Sequence, residues 1–186
     1  MGCFPVREGL TVRFLPVLLV LVLLAGCGAV REETAAPGLE VKPQPGYLAA
    51  SIKGTDVLTG ERFSTADLKG QPVFLNFWAT WCPPCQEEMP AMEAFHQELG
   101  DEVRVVAVSG DSLDTREKMA AFAEKFGLTF RVVHDGGQAA VDYQVAGFPT
   151  SFFIDADGVI RVRHAGPLTL EQMKEYAQQV SNTAEK

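Results

Sequence analysis

Val73-Phe74-Leu75-Asn76-Phe77-Trp78-Ala79-Thr80-Trp81-Cys82-Pro83-Pro84-Cys85-Gln86-Glu87-Glu88-Met89-Pro90 is the stretch from which the rest of this chain is read. It opens as an apolar strand over 73–77 and closes as the start of a helix, with two cysteines at the join. A thiol at a helix N-terminus meets unpaired backbone N–H groups and the positive end of the helix dipole. Both favour thiolate over thiol, so the pKa falls below the free value of about 8.5. Two cysteines three apart on a first helical turn can close a small, reversible disulfide. Pro83 and Pro84 fix φ where the helix begins, and the N–H groups they lack would have been orphans there.

Outward from this stretch, 186 residues leave room for one globular domain with appendages. At 47% hydrophobic residues the chain can bury a core. A net charge of −8 argues against nucleic acid as a partner and against a basic membrane-binding surface. The cysteines are more informative: there are 4, Cys3, Cys27, Cys82 and Cys85. Residues 1–26 carry Arg7 and Arg13 and then the apolar run 14–25. That run is short for a membrane span, which needs about 20 residues, and suits a signal-peptide core. It ends in Leu24-Ala25-Gly26-Cys27, which resembles the lipobox of bacterial lipoproteins. The resemblance implies that Cys27 becomes a lipidated N-terminus anchored in a bacterial membrane on its extracytoplasmic side. An uncleaved anchor and an ordinary signal peptide are the alternatives. Cleavage would remove Cys3 and leave Cys82 and Cys85 as the free thiols, which suits a redox protein in an oxidising compartment. Residues 28–46 are polar, contain Pro37, Pro43 and Pro45, and show no apolar periodicity. They read as a flexible tether holding the domain on the order of 25 Å from the membrane. The expected organisation is therefore a signal peptide over 1–26, a lipid-anchored linker over 27–46 and one domain over 47–186.

Within that domain, Ala49-Ala50-Ser51-Ile52 and Val57-Leu58 read as strands around a turn at Thr59-Gly60-Glu61, followed by a short helical piece over 64–68. Met89, Met92, Phe95 or His96, and Leu99 mark the inner face of the cysteine helix, which Gly100 ends and Pro90 should kink. Residues 103–108 form a buried strand. Asp114-Thr115-Arg116-Glu117 reads as a capping box ahead of Met119, Phe122, Ala123 and Phe126. A strand over 130–133, a short helix over 138–143 and strands over 151–154 and 159–162 follow. Asp155-Ala156-Asp157-Gly158 joins the last two as a hairpin turn; it lacks the distal glutamate of a calcium loop. Thr169-x-x-Gln172 caps a final helix with Met173, Tyr176, Ala177 and Val180 on its buried face.

The Cys-Pro-Pro-Cys segment after an apolar strand, with Gly147-Phe148-Pro149-Thr150 downstream, resembles the thioredoxin superfamily. In particular it is similar to the membrane-attached TlpA/ResA branch of bacterial thiol–disulfide oxidoreductases. The resemblance covers about 47–180. It implies an α/β, thioredoxin-like fold with a central mixed sheet, an N-terminal β-hairpin, and a helix–strand insertion over about 113–133 between the CxxC half and the cis-proline half. It also implies that Pro149 is cis and lies against the cysteines, with Phe148 offering its backbone to an incoming protein. Cys82, the more N-terminal and more exposed thiol, is assigned the attack, and shielded Cys85 resolves the mixed disulfide. Trp81 and Thr150 complete the expected substrate surface; Trp78 is packing. Thioredoxin carries a buried aspartate where this chain has Asn76, and an amide cannot take a proton. Glu88 is the replacement, three residues after Cys85 on the same helix face and in the place of the branch's active-site glutamate. Its alternative, and the reading of Glu87, is a solvated charge at the helix N-terminus.

No cofactor beyond the Cys82–Cys85 couple is expected, and no metal. Partners are proteins with thiols or disulfides, apocytochrome c during haem attachment among them, and a membrane electron donor. Copper-handling Sco proteins share the fold but space their cysteines CxxxC, so the pair with His134 or His164 as a copper or metallochaperone site is the alternative function. A zinc ribbon needs four ligands, and no second CxxC is present. A peroxiredoxin needs a Pro-x-x-x-Thr-x-x-Cys loop, which 78–82 lacks. A pure docking module would not need two reactive thiols.

Overall fold

The run at 73–78 is a strand buried on both faces, and the sheet is built outward from it. A computed structural model describes residues 40–181; the expected signal peptide, Cys27 and the tether through 39 lie outside the described residues. The strands are β1 (Lys53–Asp56), β2 (Arg62–Ser64), β3 (Val73–Trp78), β4 (Arg104–Ser109), β5 (Arg131–His134), β6 (Thr150–Ile154) and β7 (Ile160–Ala165). Among the described residues they form one 7-stranded sheet in the order β2-β1-β5-β4-β3-β6-β7. β3, β4 and β5 are parallel, and the remaining neighbours pair antiparallel, so the sheet is mixed. The helices are α1 (Pro83–Leu99), α2 (Arg116–Phe126), α3 (Gln138–Asp142) and α4 (Leu170–Ser181). α2 and β5 are the inserted helix and strand, and β5 is the strand on which the N-terminal hairpin docks.

Alternation along β3 decides what lies on each side of the sheet. Phe74 and Trp78 enter the core shared with α1, α2 and α4, while Leu75 and Phe77 enter the core shared with α3. Asn76 falls between Phe74 and Trp78 and therefore faces α1. Phe74 joins the sheet to the cysteine helix: its ring stacks on Phe153 at 4.4 Å and meets Phe95 of α1 edge-on at 5.5 Å.

Local signals place the helices well. α1 runs unbroken through Pro90 and ends at Gly100. Gly127 closes α2 with φ +63, a conformation that suits a residue without Cβ. The capping box of α4 is reciprocal: Thr169 N donates to Gln172 Oε1 (2.9 Å) and Gln172 N to Thr169 Oγ1 (3.3 Å). Asp155 makes the last hairpin turn itself, its Oδ1 accepting from Asp157 N (3.0 Å) and Val159 N (2.9 Å).

Three expectations are corrected. The N-terminal hairpin is Lys53–Asp56 with Arg62–Ser64, not the apolar pieces at 49–52 and 57–58. Its strands are short and polar, and its position comes from the buried anchors Ile52 and Phe63 and from Gly54, where a Cβ would come within 2.6 Å of His134 O. Residues 40–46 do not hang free as the end of a tether. Pro43 is buried and its carbonyl accepts from Arg163 Nη1 (3.1 Å), Gly46 N donates to Ile160 O (2.8 Å), and Val41 bridges Leu48. Finally, the N-cap of α2 is Thr115, which accepts from Lys118 N (3.3 Å), and Asp114 serves elsewhere.

Replacing Phe74 by Ala should destabilise the domain by about 3–5 kcal/mol, because both the transfer energy and the ring contacts are lost. Urea unfolding of the oxidised protein checks this; a loss below about 1 kcal/mol would mean that the sheet does not depend on that ring.

Candidate active site

β3 and β4 are parallel neighbours with Trp78 opposite Ser109, so the loops leaving their carboxyl ends emerge side by side. The first loop leads to Cys82, which is the N-cap of α1. Pro83 and Pro84 supply no N–H, so the first free donor of the helix is Cys85 N, and it donates to Cys82 Sγ at 3.3 Å. Gln86 N then donates to Cys82 O at 3.1 Å. The two cysteines are joined as a disulfide with Cα atoms 5.3 Å apart. Cys85 is fully buried and Cys82 retains only 3% of its surface, so the expected difference in exposure is present but small.

The Phe148–Pro149 bond is cis. The Phe148 ring faces Trp81 edge-on at 6.2 Å, and Trp81 is 62% exposed. The structure thus brings Trp81, Cys82, Cys85 and the Phe148–Pro149 loop into one region. Thr150 departs from its expected role. It is buried, its Oγ1 donates to Gly147 O (2.7 Å), and its backbone pairs with β3 and β7. It braces the loop from beneath instead of facing a substrate. Trp78 is buried in the core, as a packing residue would be.

Glu88 lies one turn into α1 from Cys85 and is 2% exposed, whereas Glu87 faces solvent. Its carboxyl accepts from Leu168 N (2.8 Å) and from Asn76 Nδ2 (3.2 Å). Asn76 also donates to Ser151 Oγ (3.0 Å), while among the described residues its Oδ1 has no partner. Burial pushes the Glu88 carboxyl up to about 7, against the two hydrogen bonds, which act downward. Ser151 and Leu168 were not singled out from sequence: nothing local marks a residue 75 or 80 positions away as a partner. Asp114 was misread as a cap. It is buried, and its carboxylate accepts from Thr80 N (2.9 Å), Thr80 Oγ1 and Ser109 Oγ (2.6 Å). Among the described residues no group of three or more His, Cys, Asp or Glu is arranged to hold a metal ion. His96, His134 and His164 lie on α1, β5 and β7.

The arrangement offers a sulfur with one backbone donor, a shielded second sulfur, and a buried carboxyl on the same helix face. Comparison with known proteins agrees with it. A model of the "AhpC/TSA family" matches residues 35–163. The thioredoxin-like protein YneN of Bacillus subtilis is 42% identical over 137 residues, covering 73% of this chain and 80% of YneN. The thiol–disulfide oxidoreductase ResA of Bacillus thuringiensis subsp. konkukian is 38% identical over 167 residues, covering 87% of this chain and 94% of ResA. Among solved structures, a putative thiol:disulfide interchange protein DsbE from Chlorobium tepidum superposes with a TM-score of 0.68 at 29% identity, over 74% of this chain and 98% of that one.

The raised Glu88 pKa has a signed consequence for stability. Between about 4.5, its ordinary value, and about 7, the folded protein keeps a proton that the unfolded chain has lost, so this group's contribution to stability falls as pH rises. Above about 7 the loss is complete, at about 3 kcal/mol. The oxidised Glu88→Gln variant lacks this term. Its stability relative to the parent should therefore climb by about that amount from pH 4.5 to pH 8 in urea titrations. A difference that stays flat across this range would mean that Glu88 ionises there as an ordinary carboxyl.

Proposed function

The chain belongs to the AhpC/TSA family and is a thiol–disulfide oxidoreductase of the ResA and DsbE type, and from that premise we propose that it works outside the cytoplasm as a reductant of disulfides in exported proteins. Apocytochrome c is one such substrate. The reading places the protein on a bacterial membrane through lipid on Cys27, with a membrane dithiol donor keeping the pair reduced.

In this mechanism the Cys82 thiolate attacks one sulfur of the substrate disulfide. A bond forms between Cys82 Sγ and the attacked sulfur, the substrate S–S bond breaks, and the other substrate sulfur leaves as a thiolate that takes a proton. Cys85 then loses its proton to the Glu88 carboxylate and attacks Cys82 Sγ. The Cys82–Cys85 disulfide forms, the second substrate thiol is released, and two electrons have passed to the substrate. A carboxyl that titrates near 7 can both accept and return that proton at neutral pH. Trp81 and the Phe148–Pro149 backbone receive the substrate chain.

One observation supports the reducing direction: the donor count at the cap. A strongly oxidising dithiol is one whose reduced form, with its thiolate, is stabilised. Here one of the two helical positions whose N–H could reach a Cys82 thiolate is Pro84, which has none, and among the described residues Cys85 N is the donor to the sulfur. A less stabilised thiolate shifts the couple toward a more negative potential.

Equilibration of the detergent-solubilised protein against a thiol buffer should place the couple near about −270 mV; a value near about −120 mV would make the protein an oxidant and reverse the assignment. The anchor is tested separately by labelling cells with a radioactive fatty acid. The parent chain should take the label and the Cys27→Ala chain should not. Label retained by Cys27→Ala would remove the lipid from the reading.

A further inference from the structure

The second loop at the active-site end of the sheet, between β4 and α2, touches both sides of the expected docking surface. Gly110 N donates to Trp78 O (2.9 Å), which ties the start of this loop to the end of β3. On the other side Gly110 lies under the Phe148 ring: a Cβ there would come within 2.4 Å of Cε1 and 2.5 Å of Cζ. One residue on, Asp111 uses both carboxylate oxygens. Oδ2 accepts from the indole Nε1 of Trp81, and Oδ1 accepts from Leu113 N (2.8 Å). Three residues further, Asp114 holds Thr80, the residue before Trp81, by both its backbone N–H and its hydroxyl. Gln86 Nε2 completes the brace by donating to Thr80 O at 2.9 Å.

An indole that is 62% exposed on a loop would ordinarily sample several rotamers. Here its N–H is committed to a carboxylate whose other oxygen is tied to the backbone, and the peptide behind it is pinned by a buried acid. We propose that the β4–α2 loop is a positioning element for substrate docking, in which Asp111 holds the Trp81 ring and Asp114 its backbone, opposite a Phe148 ring seated on Gly110. Asp111 acts through Trp81 and does not itself bind the substrate. Pre-setting the indole removes the ordering cost that a mobile aromatic side chain would add on each encounter, so the effect belongs in KM more than in kcat. The lowered pKa of Asp111, caused first by the Leu113 N–H and then by the Trp81 N–H, keeps the carboxylate in its accepting form at neutral pH.

The inference rests on the reading that Trp81 receives the substrate, and the test separates the two. Full-length protein in detergent is assayed with insulin as the protein-disulfide probe and dithiothreitol as electron source, for the parent, Trp81→Ala, Asp111→Ala, Trp81→Phe and the Trp81→Phe/Asp111→Ala pair. Asp111→Ala should raise KM about tenfold while kcat moves less than about twofold. In nitrogen-15 spectra, where the 2 tryptophans give two indole N–H signals, the Trp81 signal should show faster internal motion in Asp111→Ala. In the Trp81→Phe background, which has no indole N–H at position 81, Asp111→Ala should change KM no further. An unchanged KM in Asp111→Ala beside a raised KM in Trp81→Ala would overturn the positioning role and leave the docking role of Trp81 standing. An equal KM increase in the Trp81→Phe background would also overturn it, since Asp111 would then act on the substrate directly. An unchanged KM in Trp81→Ala would remove the docking reading and this inference with it.

Discussion

A helix whose first two residues have no N–H group has little left with which to cap itself, and at α1 what is left meets a sulfur. Pro83 and Pro84 occupy the positions where orphan donors would otherwise point outward, so Cys85 N is committed to Cys82 Sγ and Gln86 N to Cys82 O. The redox pair and the helix start are thus one structural unit. The cap demands a strand that stops at a fixed point before it and a neighbouring loop that leaves the sulfur room. β3, pinned between β4 and β6 and buried along its length, meets the first demand. The cis Phe148–Pro149 loop, braced by Thr150, lies beside the last.

Beneath the cap is a small polar group inside an apolar core. Glu88, Asn76 and Ser151 come from α1, β3 and β6, and the Leu168 N–H comes from the segment ahead of α4. Such a cluster is expensive to bury and is not fully satisfied, since Asn76 Oδ1 has no partner among the described residues. An apolar set of the same volume would pack there at lower cost. What the cluster provides is a carboxyl that is close to half-ionised at neutral pH, on the face of α1 that carries Cys85. The same burial that weakens the fold above pH 7 therefore holds this carboxyl near its titration midpoint at neutral pH.

The surface around Cys82 depends on acids of the opposite kind. Asp111 and Asp114 come from the neighbouring loop and are held as acceptors by backbone and side-chain donors. Glu88 is raised because burial outweighs its two hydrogen bonds; Asp111 is lowered because hydrogen bonds outweigh its slight burial. Two acids within one region are thus driven in opposite directions, distinguished by desolvation against donor count.

The redox motif, its strand-to-helix setting, the helices and the cap of α4 were legible in the sequence, because their signals are local, whereas the cap of α2 was legible only to within one residue. Helical periodicity, the Cys-Pro-Pro-Cys join, Gly127 and the Thr169–Gln172 box each act within a few residues. Glu88 could be singled out as well, since a spacing of three from Cys85 places both on one helix face. Only the tertiary structure decided where the N-terminal hairpin pairs, since strands as short and polar as Lys53–Asp56 and Arg62–Ser64 carry little hydrophobic pattern and take their place from Gly54 fitting against β5. It also decided what Glu88, Asp111 and Asp114 touch. Trp81, Thr80 and Leu168 are brought to Asp111, Asp114 and Glu88 by sheet register and loop proximity across 30, 34 and 80 residues, and a side chain's spacing in sequence says nothing about donors that far away.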